Sequence, residues 1–336
     1  MNDIIKNLKV PTGNICIMET EKGKLEFLSI GDYGKSANVK AQFLGLNKEL
    51  NGVPNGEIEP LEDKWVITIS TQYGCPQKCT FCDVSLVGFK GNASYDDLKN
   101  QVIKAIELHP EVKSTKRLNV HYARMGEPSW NPNVIEFSKD LLQIVRNTHL
   151  GRVIAHPVFT TMLPKNNKNL IKILNEWTID IMQDKFKGEA GLQFSINSTS
   201  NEQRKDMFND GSLSLEEISE IGKMLPMPKG RKYALNFALA DGYEVNAKRL
   251  LELFSPDRFM VKITPIHKTN STQNNNIKTT DGYEYFTPYK QVEKDLIDAG
   301  FDVLIFVPSY DEDLGRITCG NAILSGNMPE CNYVEV

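Results

Sequence analysis

From Trp65 to Pro308, short β-branched runs alternate with amphipathic stretches, and this alternation constrains the fold more than any other feature of the chain. The segments WVITIST (65–71), RLNVHYA (117–123), VIAHPVFTT (153–161), GLQFSINST (191–199), KYALNFALA (232–240), FMVKITPIH (259–267) and FDVLIFVP (301–308) read as strands. Residues 95–108, 132–147, 168–177, 214–225, 245–254 and 287–300 carry apolar positions at helical spacing, and Asn201–Arg204 opens a further helix. Pro132 suits a first turn, and Ser214 with Glu217 forms a Ser-x-x-Glu capping pattern. Strand followed repeatedly by helix implies a parallel sheet with right-handed crossovers. The number of units fits an α/β fold of partial (β/α)6 TIM-like barrel form better than a closed eightfold one. In such barrels the site lies at the C-terminal ends of the strands.

The first 64 residues read as a β-rich extension and linker, residues 65–325 as the barrel and 326–336 as a tail. GNICIMETEKGKLEFLSIG (13–31) alternates apolar and polar residues about Lys22-Gly23, as a β-hairpin does, with Cys16 on its first strand. NKELNGVPNGEIEPLEDK (47–64) is rich in turn residues and acids. Hydrophobic residues make up 40% of the 336, enough for a sizeable core. No apolar run approaches the roughly 18 residues of a membrane span, and the N-terminal MNDIIKNLKVPTGN lacks a long apolar signal region, so a cytoplasmic protein without a membrane partner is expected. A net charge of −4 is not the basic balance of a chain that lives on nucleic acid, though it leaves a local basic groove possible.

Where the first barrel strand ends stands GCPQKCTFCD, with Cys75, Cys79 and Cys82 spaced C-x3-C-x2-C. Three thiolates this close can hold three irons of one 4Fe–4S cluster and leave the fourth iron open to a ligand. Phe81 could shield one cluster face from water. The alternatives are disulfides, which need an oxidising compartment, a zinc knuckle, which wants a fourth Cys or His, or buried thiols.

This triad, followed at a distance by Gly126-Glu127-Pro128, resembles the radical S-adenosylmethionine (SAM) superfamily. The resemblance implies that the open iron chelates SAM, whose cleavage yields methionine and a 5′-deoxyadenosyl radical, and that an electron donor such as flavodoxin or ferredoxin supplies the electron. Five stretches look like the RlmN/Cfr family, which methylates an aromatic carbon of adenosine in RNA. They are TQYGCPQKCTFCDVSLVGFKG (71–91), RMGEPSWNPNVI (124–135), LQFSINSTSNEQRKDMF (192–208), ITPIHKT (263–269) and GRITCGNAIL (315–324), spanning about Lys64 to Ser325.

Carried over by position, Cys319 is the cysteine that accepts a methyl group from one SAM. A radical from a second SAM activates that methyl for addition to an sp2 carbon, and a resolving cysteine then releases the product as a disulfide forms. Glu127 would take hydrogen bonds from the SAM ammonium. Ser195, Asn197, His267 and Thr160, with Thr161, fall where the family places polar contacts to SAM. Two features depart from the pattern. The resolving cysteine's position is Thr68, whose hydroxyl cannot form a disulfide, which leaves Cys331 as a substitute candidate. The N-terminal extension reads as too short and too β-rich for the helical accessory domain of RNA-directed members, which weakens the RNA reading, and Lys229-Gly230-Arg231-Lys232 is a basic turn that reads as a phosphate contact or as a solvated loop. The resemblance still implies an RNA or nucleotide substrate. A radical SAM enzyme with another reaction on a small molecule or peptide, and a non-catalytic iron–sulfur protein, are the competing readings.

Overall fold

The computed structural model describes residues 3–31, 39–40, 60–278, 289–308 and 310–336. Residues 47–59 of the expected linker, and 287–288 of the last long helix, lie outside the described residues. Three strands, β1 (Asp3–Val10), β2 (Gly13–Thr20) and β3 (Gly23–Gly31), form an antiparallel meander, and β4 is the short Val39–Lys40. After β5 (Trp65–Thr68) come β6 (Gln72–Gly74) and β7 (Phe89–Asn92), a separate antiparallel pair. The chain continues as α1 (Tyr95–Glu107), β8 (Leu118–Tyr122), α2 (Asn133–Arg146), β9 (Ala155–Thr161) and α3 (Leu170–Glu176), which runs on as a π-helix over Trp177–Lys185. Next are β10 (Gly191–Ser195), α4 (Asn201–Met207), α5 (Leu215–Met224), β11 (Tyr233–Leu239), α6 (Ala247–Leu253) and β12 (Phe259–Pro265). The last elements are α7 (Asn270–Asn274), α8 (Lys290–Asp298), β13 (Val303–Phe306), α9 (Tyr310–Leu314) and β14 (Val334–Glu335).

One twelve-stranded sheet runs β14-β1-β2-β3-β5-β8-β9-β10-β11-β12-β13-β4. From β5 through β13 its neighbours are parallel and follow chain order, joined by six crossovers, which is the expected partial barrel. The N-terminal meander belongs to the same sheet: β3 pairs antiparallel with β5, setting Leu28 opposite Thr68 and Ile30 opposite Val66. Strand β1, which the sequence reading did not anticipate, carries the tail strand β14 on its outer edge. No described helix is long and apolar enough to cross a membrane.

Alternation along each strand assigns its two faces. Val120, Tyr122, Phe159, Leu192, Phe194, Leu235, Phe237, Val261 and Ile263 face the helices and form the main core. Thr160, Gln193, Ser195, Asn236 and Lys262 occupy the opposite phase and are only half-buried, so the inner face is polar. Strand β5 stops at Thr68, three residues short of the expected WVITIST run. There the Gln101 side chain takes both main-chain groups of Ser70, accepting its N–H at 2.8 Å and donating to its carbonyl at 2.9 Å. A helix side chain thus replaces the neighbouring strand, and the backbone is free to turn into the cysteine loop. The Ser214–Glu217 capping box opens α5 as the sequence indicates.

Trp177 is fully buried, donates from Nε1 to the Gly191 carbonyl at 3.1 Å and packs 4.9 Å from the Phe159 ring. Replacing it by alanine removes both the packing and a satisfied donor. Trp177→Ala is expected to cost about 3–5 kcal/mol, read as a lowered midpoint of denaturant unfolding; a loss below about 1 kcal/mol would contradict this account of the core.

Candidate active site at the C-terminal ends of the strands

The cysteine loop arches between β6 and β7. Its base closes where Gly74, at φ +73°, lies so near Gly88 that a Cβ would sit 1.4 Å from the Gly88 carbonyl oxygen, so only glycine fits. Main-chain and side-chain hydrogen bonds stitch the loop to three distant elements. Thr80 N–H donates to the Met207 carbonyl at the end of α4 (2.9 Å), Thr269 Oγ1 to the Phe81 carbonyl (2.8 Å), and Asp83 N–H to the Gly320 carbonyl (2.8 Å). The Asp83 carboxylate in turn accepts the N–H groups of Asn270 and Ser271 at the start of α7. Phe81 meets Phe208 edge-on, with centroids 5.8 Å apart, in an apolar cluster with Met162, Met207 and Ile266 that also receives Cys79.

Burial pushes the Cys75 thiol up to about 12, with the Glu127 carboxylate adding to the shift and the Gln77 and Gly126 N–H groups opposing it. Cys79 is raised well above its ordinary value by burial, then by Cys82, Cys75 and Glu127, and Cys82 by burial and then by Cys75. The three sulfurs therefore lie within each other's electrostatic reach, in surroundings that disfavour anions unless a cation is present. That donor set fits an iron–sulfur cluster, whose positive irons reverse the local preference and take thiolates. Among the described residues no three His, Cys, Asp or Glu side chains converge on a single metal ion. A cubane needs no such convergence, since each thiolate binds its own iron.

Beside the loop, Gly126-Glu127-Pro128 follows β8. Glu127 is buried and its N–H donates to Gln72 Oε1 at 2.9 Å. Its carboxylate accepts the N–H groups of Ser129 (3.1 Å) and Met162 (2.9 Å), and Thr161 also hydrogen-bonds to it. Burial raises its pKa and these donors oppose the rise. Two N–H bonds leave lone pairs on the carboxylate for a cationic ligand.

The remaining expected residues divide. Ser195 stands in register with Asn236, and Asn236 with Lys262, across β10, β11 and β12. Thr160 faces Gln193, whose Nε2 donates to its Oγ1 at 3.3 Å, while its neighbour Thr161 turns to Glu127. Asn197 is buried with φ +61°; its Oδ1 accepts the Ala238 N–H, and its Nδ2 has no hydrogen-bond partner, nor has Asn236 Oδ1. These two orphaned amide atoms suit a polar ligand above the strand ends. His267 instead lies against Asp313, Nδ1 to Oδ1 at 3.3 Å, and Asp313 also accepts the Thr318 hydroxyl at 2.7 Å. It thus braces the segment before Cys319.

Cys319 is exposed between buried neighbours Thr318 and Gly320, and its sulfur lies 3.9 Å from the Ala123 carbonyl. Gly320 packs on the cysteine loop: a Cβ there would stand 3.4 Å from the Phe81 carbonyl and 3.9 Å from Cys82 Cα. Although the residue reaches solvent, the chain packed around its sulfur desolvates the thiol and pushes its pKa up, while Lys262, Arg124 and the Gly320 N–H pull it down. Lys262 was not singled out in the sequence, although its polar phase within FMVKITP is a legible signal. His121, on the same inner face as Thr68, is held neutral, its pKa lowered to about 3 by burial and then by Lys262, Lys64, Arg231 and Arg117. The basic turn Lys229–Lys232 precedes β11 and so lies at the opposite ends of the strands from the cysteines, with Lys232 paired to Asp302 at 2.7 Å. Cys331 packs with Ile317 and Ile323 in the apolar cluster on the meander.

The solved structure of a radical SAM methyltransferase from Sphaerobacter thermophilus superposes on 92% of this chain and 77% of its own, with TM-score 0.61 at 16% identity. That likeness concerns the fold. A probable dual-specificity RNA methyltransferase RlmN of Aquifex aeolicus is 24% identical over 211 residues, covering 61% of this chain and 56% of that protein. The protein of the same description from Pseudothermotoga lettingae is 29% identical over 209 residues, covering 60% and 55%. The chain thus spans about half the length of the curated relatives it matches. No protein-family model matches it. The partial barrel, with the three-cysteine loop at its strand ends, thus shares its fold with a solved radical SAM methyltransferase. Over about 60% of its length the sequence is similar to proteins described as RlmN RNA methyltransferases.

Gly126 holds the Glu127 turn against β6: at φ +96°, a Cβ would lie 2.6 Å from Gln72 Cβ and 2.9 Å from its backbone nitrogen. Gly126→Ala is expected to destabilise the protein by about 1–3 kcal/mol, measured as the change in unfolding midpoint. An unchanged midpoint would mean that this close approach is not needed.

Proposed function

We propose that this protein is a radical SAM enzyme that moves a methyl-derived carbon from SAM, by way of Cys319, to an sp2 carbon of an adenine-like substrate in RNA or a nucleotide. The observation that supports it is the seating of Cys319 beside the cysteine loop, joined to it through the Gly320 carbonyl and the Asp83 N–H. Cys75, Cys79 and Cys82 would hold a 4Fe–4S cluster, and Glu127 with Ser195, Thr160 and Asn197 would hold SAM. When bound, these groups supply an electron and the methyl and 5′-deoxyadenosyl chemistry. Methyl transfer to Cys319 forms its S–C bond as the methyl–sulfonium bond breaks, with S-adenosylhomocysteine and the thiol proton leaving. Desolvation leaves the Cys319 pKa raised, and the side chains of Lys262 and Arg124 offset part of that rise, toward the thiolate this step needs. A flavodoxin or ferredoxin is the electron donor in this reading.

Thr68 and the strand-built N-terminus support a second reading, in which the same centre runs another reaction on a substrate that is not RNA. Peptide mass spectrometry on protein purified anaerobically separates the two. One added methyl on Cys319 is expected. An unmodified Cys319, in a preparation that contains its cluster and cleaves SAM, would sink the first reading and favour the second.

Cluster assembly carries its own pH dependence. Burial holds the three thiols protonated in the metal-free protein, and assembly takes them as thiolates with release of protons. Iron loading from ferrous iron and sulfide is therefore expected to rise between about pH 6 and pH 9, followed by iron content per chain. Loading that is flat or falls over this range would count against three-thiolate ligation.

A further inference from the structure

The inner face of the N-terminal meander is apolar, built from Leu8, Val10, Ile15, Ile17, Leu28 and Ile30, and Ile317 and Ile323 of the C-terminal segment pack on it. Within that face stands one fully buried acid, Glu26 on β3. Arg124, two residues before Gly126, pairs with it: Nε donates to Glu26 Oε1 at 2.8 Å and Nη2 to the same oxygen. Both partners are otherwise spent on the main chain around Cys319. Arg124 Nη2 donates to the Arg316 carbonyl (2.9 Å) and Nη1 to the Thr318 carbonyl (3.4 Å). Glu26 Oε1 accepts the Ile323 N–H (3.2 Å) and Oε2 the Leu324 N–H (3.0 Å). One ion pair therefore grips the chain on both sides of Cys319, three residues or fewer before it and four or five after.

We propose that Glu26 and Arg124 are positioning residues for Cys319, and that the N-terminal meander is a working part of the reacting centre rather than an appended module. This rests on the reading that Cys319 takes part in the reaction. Arg124 stands immediately before the Met125-Gly126-Glu127-Pro128 turn, so the segment that carries Glu127 also holds the main chain just before Cys319. Arg316 braces the same segment from its other side, with a left-handed φ of +57° and a guanidinium bonded to the Lys268 carbonyl at 3.0 Å.

The test uses the anaerobic, cluster-loaded protein as Arg124→Gln, Arg124→Lys and the double variant Glu26→Gln with Arg124→Gln. The double variant leaves no unpaired buried charge, and Arg124→Lys keeps the charge but not the fork that reaches two carbonyls. Three quantities are read: hydrogen exchange of residues 316–324, the rate of Cys319 alkylation by iodoacetamide, and methyl occupancy of Cys319 after incubation with SAM. Arg124→Gln and the double variant are expected to speed exchange roughly tenfold or more and to cut the methylation rate roughly a hundredfold through misplacement of the sulfur, with Arg124→Lys recovering part of both. Folded double variant with wild-type exchange, alkylation and methylation would overturn the proposal. If the double variant does not fold, Arg124→Lys decides it, wild-type values in all three again overturning it. Wild-type protein that never methylates Cys319 would instead defeat the functional reading, and exchange and alkylation alone would then judge the clamp.

Discussion

The buried pair of Glu26 and Arg124 joins three regions distant in sequence: the meander, the turn after β8 and the segment around Cys319. Removing one partner of such a pair typically costs about 3–5 kcal/mol, because the other is left as an uncompensated buried charge. An apolar pair of similar volume would pack in the same space, but it would strand two carbonyls and two N–H groups of the C-terminal segment away from water. Charge-assisted bonds to all four are what let an irregular segment lie on an apolar sheet face. The pair thereby explains why the antiparallel strands extend the barrel sheet at all. They supply the platform, and Glu26 supplies a fully buried polar anchor within that face.

The parallel strands were legible because their outward residues must meet helices, which imprints a period of two on runs such as YALNFAL and FMVKITP. The three clustered cysteines were legible because their spacing is local. Strand β1 was not, since half of Asp3–Val10 stays exposed or half-buried and the segment carries little alternation. The end of β5 was set by Gln101 from a later helix, a tertiary capture that no local pattern carries. Glu26 and Arg124 were hidden for the same reason. Each reads locally as an ordinary charge, and 98 residues separate them. His267 was legible as a polar strand end, but its contact with Asp313, which links it to the Cys319 segment, was not.

The inner face contradicts what the overall charge of −4 suggests. Lys262 and Arg124 approach Cys319, and Lys262, Lys64, Arg231 and Arg117 all act on His121. Held near 3, His121 stays neutral at physiological pH, which spares the lumen a further charge. Acid counters it: the stability gained from burying neutral His121 is present above its ordinary value of about 6.5 and is lost as pH falls toward 3. Of the cations that act on His121, Lys262 is the one within a strand that also acts on Cys319, whereas Lys64, Arg117 and Arg231 come before the starts of β5, β8 and β11, at the strand ends opposite the cysteines.

In the proposed reaction the two halves of the sulfur chemistry are unequally provided for. The loading half has a clamped Cys319, a cation beside it and a carbonyl-to-amide link to the cysteine loop. The release half has Thr68, paired across the sheet with Leu28 on one side and His121 on the other. A threonine hydroxyl there can hydrogen-bond but cannot accept a sulfur. Cys331 is engaged in the apolar cluster with Ile317 and Ile323, beneath the same segment that carries Cys319. Its neighbour Glu330 is held by the Arg316 guanidinium and donates its N–H to the Leu314 carbonyl at 2.7 Å, contacts that tie this part of the tail down. For the proposed reaction, a threonine at position 68 and a Cys331 engaged elsewhere favour a release step that does not consume a second cysteine.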